Sequence, residues 1–239
     1  MNPPDRRTFL MAAAAGAVAG AEIASAVASE PAAESSTSPA NPMEKEPLKM
    51  KVLMPIGDAT EVMDTLYPFF RLPEEGIEAE VAGPEARTYH GVMHEIPPER
   101  TTPWDITREQ PAYHIKAALA FRDVDPGQYA GLFLSGGRAP EYLRYNPDLI
   151  RITRHFFDAN KPVAVVCHGV EIVAAAGVLK GRTMTTVAKC AMDVTFSGGS
   201  YVDQPCVLDG NMVSCRTWHD YNTQFMKHFI RMIQERART

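Results

Sequence analysis

The chain has 239 residues, 45% of them hydrophobic and 22% charged, with a formal net charge of −5. That length holds one substantial core with at most a small appendage, and the acidic balance gives no reason to expect nucleic-acid binding. The seven histidines and two tryptophans are scattered, without zinc-finger or haem-attachment spacing.

Residues 1–28 read as an export signal. Arg6 and Arg7 precede the small, apolar run Ala12 to Gly20, and Ala26-Val27-Ala28 offers a small-residue cleavage site. The run is too short and alanine-rich to span a membrane well, so no lasting membrane anchor is expected. Paired arginines followed by Thr8-Phe9-Leu10 resemble a twin-arginine signal, which implies a periplasmic or extracellular destination. Residues 29–48, rich in Pro, Ala, Ser and Glu, read as a disordered tether to a folded domain over 49–239.

Met50 to Gly57 predicts a first strand, apolar on both faces as in a covered parallel sheet. The stripe Val62, Leu66, Phe69 and Phe70 predicts a helix over 58–72, with Gly76 ending the turn behind it. Glu78 to Gly83 is the second strand. Residues 87–111 are the least regular part, polar and proline-bearing around Trp104, and read as a functional loop or a small excursion packed on the domain. His90, His94 and Glu95 lie within helical reach of one another, but they offer no complete ligand set, so no metal is expected.

Tyr129 to Leu134 is the next core strand, running into Ser135-Gly136-Gly137, where a backbone can bend sharply or approach a ligand. Short helices are predicted from Arg138 and from Asn146-Pro147. The central feature is Pro162 to Val166, a buried β-branched strand, followed at once by Cys167-His168-Gly169 and the helical run Val170 to Ala176. A cysteine at such a turn lies beside the free N–H groups of the next helix, which favour its thiolate. The pattern is that of a nucleophile elbow; the alternative is a buried structural cysteine.

Thr183 to Val187 predicts a strand and Ala188 to Phe196 a helix. Tyr201 to Leu208 and Met212 to Arg216 predict a hairpin around Asp209-Gly210, and His219 to Arg236 an amphipathic closing helix. That turn would set Cys206 opposite Val213, with Cys215 only diagonal to it and outside ordinary disulfide reach. Cys190 is read as structural. Alternating strands and helices give a doubly wound α/β fold, whose site lies beyond the carboxyl ends of the strands.

Several segments resemble the ThiJ/PfpI family of the class I glutamine amidotransferase-like superfamily. They are Met50-Lys51-Val52-Leu53, Tyr67-Pro68 with Arg71-Leu72, Ser135 to Glu141, Lys161 to Ala164, Cys167-His168-Gly169, and Ala176 to Arg182. The resemblance implies a flavodoxin-like, mostly parallel sheet between helices, no cofactor, and a homo-oligomer. Residues 87–111 look like an insertion in it. It places the nucleophile at Cys167, with His168 beside it. The acid whose protonated carboxyl bonds the sulfur falls on Asp64, with Glu61 as the alternative. Backbone N–H groups of Gly137 and His168 would form the oxyanion hole. Glu141 would reach the elbow histidine of a neighbouring subunit; read alone, it is a helix-start acid. Val170 and Glu171 stand where the pattern more often has Pro and Gln, Val187 stands where some protease-like members have tyrosine, and Ser135 where Pro is commoner.

Three functions follow from the resemblance. One is a cysteine-dependent, glyoxalase- or deglycase-like enzyme acting on small carbonyl compounds. Another is a protease or amidase acting on acyl compounds. The third is a redox-sensing or chaperone-like stress protein using Cys167.

Overall fold

The computed structural model describes residues 50–95 and 108–238. The export and tether segments and Trp104 lie outside those residues. In chain order the elements are β1 (Lys51–Pro55), β2 (Thr60–Glu61), α1 (Val62–Arg71), β3 (Glu78–Gly83), β4 (Thr88–Glu95), β5 (Arg108–Lys116), β6 (Leu119–Ala120) and β7 (Gly131–Leu134). They continue with α2 (Ala139–Leu143), α3 (Pro147–Asp158), β8 (Val163–Val166), α4 (Val170–Ala176), β9 (Thr183–Met184), α5 (Ala191–Phe196), β10 (Ser200–Tyr201), β11 (Cys206–Asp209), β12 (Met212–Cys215) and α6 (Phe225–Arg236).

The main sheet has seven strands in the order β11-β12-β8-β7-β1-β3-β6. All its pairings are parallel except β11 with β12. Because side chains alternate along a strand, each central strand feeds both faces. Leu53, Leu132, Leu134, Val163 and Val165 pack with Ile152 and Phe156 of α3 and Ile172 and Val173 of α4. Val52, Met54, Phe133, Ala164 and Val166 pack on the other face against Phe225, Phe229 and Ile233 of α6. The expected flavodoxin-like α/β fold is what the chain adopts, and β7 and β8 carry the Gly136-Gly137 turn and Cys167 to the same edge.

Five expectations are corrected. The helix predicted from residue 58 begins only at Val62. Thr60 and Glu61 are extended instead and pair with Gly91 and Val92 of β4, while Glu61 caps α1 by accepting the Asp64 N–H at 2.6 Å.

The stretch over 87–111 is not irregular at its ends. It contributes β4 and part of β5, an antiparallel pair whose three-stranded sheet runs β2-β4-β5. Pro111 is tolerated because β5 is an edge strand. His90, His94 and Glu95 therefore sit on a strand rather than a helix. His90 Nδ1 pairs with Asp58 Oδ1 at 2.9 Å, and His94 Nε2 with Glu109 Oε2 at 3.0 Å.

The strand predicted over Thr183 to Val187 stops at Met184. Beyond it the Thr185 N–H donates to Ser214 Oγ and the Thr186 hydroxyl donates to the Cys167 carbonyl, side-chain bonds that replace a ladder. The closing helix begins at Phe225 rather than His219, because Gln224 has a left-handed φ of 69°.

The hairpin turn also shifts by one residue, which moves the cross-strand register by two. Asp209 pairs with Met212, so Gly210 and Asn211 form the turn and Cys206 lies directly opposite Cys215. Gly210 supplies a positive φ in the first turn position, while the Asp209 carboxylate accepts the Thr183 N–H. Neither cysteine is in a disulfide.

Candidate active site

Cys167 leaves β8 with a φ of 55°, in the left-handed region. A non-glycine residue there costs roughly 1 to 3 kcal/mol and persists only where its surroundings hold it. The Thr186 hydroxyl holds the Cys167 carbonyl at 2.6 Å, and Cys167–Gly169 form a 3-10 turn that leads straight into α4. The result is an elbow that presents the sulfur at the sheet edge. His168 Nδ1 lies 3.2 Å from the Cys167 Sγ.

The Gly136-Gly137 turn closes on this sulfur from β7. A Cβ added at Gly136 would stand 2.8 Å from the Cys167 Sγ and 2.6 Å from Asp64 Oδ2. Gly137 has a φ of 83°, and a Cβ there would strike the Glu61 backbone. Neither position has room for a side chain, so the backbone itself lines the sulfur. The N–H groups of Gly137 and His168 face Sγ and favour its thiolate. The structure thus brings together Cys167, His168, Asp64 and Gly137.

Asp64 is fully buried on α1. Neither carboxyl oxygen has a hydrogen-bond partner of ordinary geometry; the N–H groups of Gly136 and Trp218 and the Cys167 thiol face it at longer range. Burial, and then the negative charge of Glu61, push the Asp64 carboxyl well above the usual carboxylate range. Burial likewise pushes the Cys167 thiol up, with the Asp64 charge second, while the Gly137 and His168 N–H groups pull it down. Asp64 and Glu61 titrate as a pair. A protonated Asp64 removes the charge that opposes the thiolate and supplies a donor to it.

Glu61, the alternative acid, is buried and raised to about 7, chiefly by desolvation. Its carboxylate accepts the N–H groups of Asp64 and His94, so it serves α1 and the β4 strand. His168 is lowered to about 4 by burial first and by His94 second; it is a neutral imidazole near pH 7. Glu141 sits on the exposed first turn of α2, 3.6 Å from Arg138 Nε. Among the described residues no hydrogen bond joins it to His168.

Four contributors were not read as site residues. His94 arrives beside His168 and Glu61 because β4 pairs with β2. The Tyr221 hydroxyl donates to the Asp64 carbonyl at 3.2 Å. Glu171 and Cys190 lie beside His168: one ligand atom from each of the three falls within 4.8 Å of the other two. Glu171 follows His168 by three residues, which places them on neighbouring helical positions and was open to sequence reading. Cys190 returns from a distant turn, for which no local signal exists.

Comparison with known proteins identifies the family. The DJ-1/PfpI family profile matches residues 50–232. A deglycase of Thermococcus kodakarensis is 36% identical over 185 residues, covering 77% of this chain and 100% of the relative. Deglycase PfpI of Pyrococcus furiosus is 34% identical over 185 residues, with the same 77% and 100% coverage. Among solved structures, a two-domain protein with DJ-1/ThiJ/PfpI-like and ferritin-like domains from Anabaena variabilis superposes with a TM-score of 0.63 at 24% identity. That match covers 76% of this chain and 49% of the other, so the chain spans about half of that protein. With its full-length relatives, its elbow cysteine and its flavodoxin-like sheet, the chain belongs to the DJ-1/PfpI family.

Proposed function

We propose that the chain is a cofactor-free, cysteine-dependent enzyme acting on small carbonyl compounds, with a glyoxalase- or deglycase-like reaction. The observation that carries this reading is the Cys167 sulfur, held at a left-handed elbow between the Gly137 and His168 N–H groups and the buried Asp64 carboxyl. Two relatives named deglycases match it over their whole length.

On a 2-oxoaldehyde the Cys167 thiolate attacks the aldehyde carbon, and the carbonyl oxygen becomes an alkoxide. Backbone N–H groups beside the sulfur receive that charge without reorganising. Neutral His168 accepts the proton from the former aldehyde carbon and returns it to the neighbouring carbon. This converts the hemithioacetal into a thioester through an enediolate. Water then cleaves the thioester, releasing a 2-hydroxy acid and restoring the thiol. The net change adds one water and needs no external oxidant or reductant. For an amine adduct, the C–S bond forms at the same carbon as the C–N bond breaks, and the proton given up by the thiol, carried by His168, goes to the leaving nitrogen to release the free amine.

The test is turnover of methylglyoxal and of its amine adducts by purified protein, read as lactate formed, with Cys167→Ser as control. Lactate formed by the wild type and not by the variant supports the reading. Equal rates for the two overturn it, and cleavage of peptides alone would replace it with the protease or amidase reading. Export through residues 1–28, assembly into a homo-oligomer and a contribution from Glu141 across a subunit boundary belong to the same proposal. Sizing of the mature protein, with Glu141→Gln, tests the last two.

A further inference from the structure

His168, Glu171 and Cys190 form a second chemical feature, which the carbonyl reaction leaves partly unused. Glu171 is 6% exposed and Cys190 is 3% exposed. The Cys190 Sγ lies 3.9 Å from Glu171 Oε1, and one ligand atom from each of the three residues falls within 4.8 Å of the other two. A tetrahedral zinc site has metal–ligand distances of about 2.0 to 2.3 Å, which set its ligand atoms roughly 3.3 to 3.8 Å apart. The Cys190–Glu171 separation is already near that value, and small side-chain rotations bring in the imidazole. One thiolate, one imidazole and one carboxylate make a borderline donor set that suits zinc(II).

We propose that His168, Glu171 and Cys190 bind a divalent cation of the zinc class, and that the bound ion arrests the Cys167 chemistry by engaging His168.

Charge supports the site. The Cys190 thiolate and Glu171 carboxylate neutralise the dication between them, and the thiol proton leaves to solvent on binding. Arg144 offsets this only in part, because its Nη2 pairs with Asp193 Oδ1 at 3.0 Å. Its Nη1 lies 3.4 Å from Glu171 Oε2. The Arg144 contact thus anchors the carboxylate through one oxygen while Oε1 faces the thiol, the outer-shell arrangement that orients metal-ligating carboxylates. Three protein ligands leave the fourth position open to water. Lys189, adjacent in sequence to Cys190, is a second cation that, with Arg144, opposes binding.

Occupancy by the ion does not depend on the proposed reaction; inhibition does rest on that reading, through His168. Two readouts separate them. The first is titration of reduced, full-chain Cys167→Ala protein with cobalt(II), followed by near-ultraviolet thiolate-to-cobalt charge transfer and visible d–d bands. Using Cys167→Ala removes the nucleophile as a competing ligand. Tetrahedral bands that zinc(II) abolishes by displacement are expected. Adding Cys190→Ser should remove the thiolate band, and Glu171→Gln should weaken cobalt binding about 10- to 100-fold, on the scale of ligand-shell losses. No thiolate band with Cys167→Ala, or a band that survives Cys190→Ser, overturns the site. Glu171→Gln, close in shape, keeps the test informative if the serine variant does not fold.

The second readout is turnover of the wild type with zinc(II), then with EDTA. Zinc inhibition that EDTA reverses and Glu171→Gln resists supports the inhibitory role. Cobalt bands without any change in wild-type turnover support the site and overturn the participation of His168 in the reaction.

Discussion

Cys167 and Cys190 flank the same histidine, and both are nearly inaccessible to solvent, yet their surroundings point in opposite directions. Burial is the largest influence on each thiol and raises both. At Cys167 the next influence is Asp64, whose own carboxyl is pushed up towards its neutral form, and two backbone N–H groups stabilise negative sulfur. At Cys190 the neighbouring charges are Glu171 and Asp193, only partly offset by Arg144. Depth does not separate a reactive thiol from an inert one. The balance of donors and acceptors around the sulfur does. Backbone geometry differs in the same sense: Cys167 is held at a left-handed φ of 55°, while Cys190 closes a relaxed turn at φ −99°.

The sharpest way to break this contrast is to remove each sulfur in turn. Cys167→Ser should lower turnover of a 2-oxoaldehyde by at least about 1,000-fold while leaving thermal stability nearly unchanged. Cys190→Ser should lower turnover less than about tenfold in metal-free buffer. Steady-state kinetics and thermal melts of both variants decide it. Similar turnover losses at the two sites would dissolve the distinction.

Gly136→Ala tests whether the contrast depends on the backbone that separates Asp64 from the sulfur. The added methyl would stand against both Asp64 Oδ2 and the Cys167 Sγ. Turnover should fall by about 100-fold or more, with a stability loss of about 1 to 3 kcal/mol from overpacking. Kinetics and denaturant unfolding on one preparation measure both.

Glu61 sharpens the electrostatic side. Its folded-state pKa is raised, so its contribution to stability is fully present below the unfolded value of 4.5 and is lost as pH rises through about 7. Asp64 and the His94 N–H face it. The stability of the wild type relative to Glu61→Gln should therefore fall as pH goes from 4.5 to 7, by at most about 3 kcal/mol. Urea unfolding of both proteins across that range gives the slope, and a difference that grows with pH has the wrong sign.

The smallest effect concerns the proton on Asp64. Asp64→Asn keeps an N–H donor beside the sulfur, so the pKa of Cys167 alkylation should move by less than about one unit. Asp64→Leu removes the donor and should raise it by about one unit or more. A lower alkylation pKa in the leucine variant would mean that Asp64 acts as a charge rather than as a donor.

Much of this site could be read along the chain. An unbroken β-branched strand ending in Cys167-His168-Gly169, paired glycines after an apolar strand, and Asp64 one turn into an amphipathic helix are local patterns. Each is governed by side-chain periodicity and by the conformational freedom of glycine. The strands at the ends of residues 87–111 were not legible, because polar edge strands carry little periodic signal and Pro111 argues against a strand. The hairpin register failed for a different reason. Either Asp209-Gly210 or Gly210-Asn211 satisfies two-residue turn chemistry, and only the pairing of β12 with β8 and the bond from Thr183 to Asp209 select the second.

Sequence alone determined which residues carry chemistry and at which end of the sheet they gather, because strand, elbow and helix are encoded within a few residues of Cys167. Tertiary structure decided what surrounds them. His94 reaches the site only because β4 pairs with β2, Thr186 because a strand stops at Met184, and Cys190 because its turn packs against α4. These partners come from distant stretches of chain, and no local propensity specifies which of many polar side chains packing will bring to the sulfur.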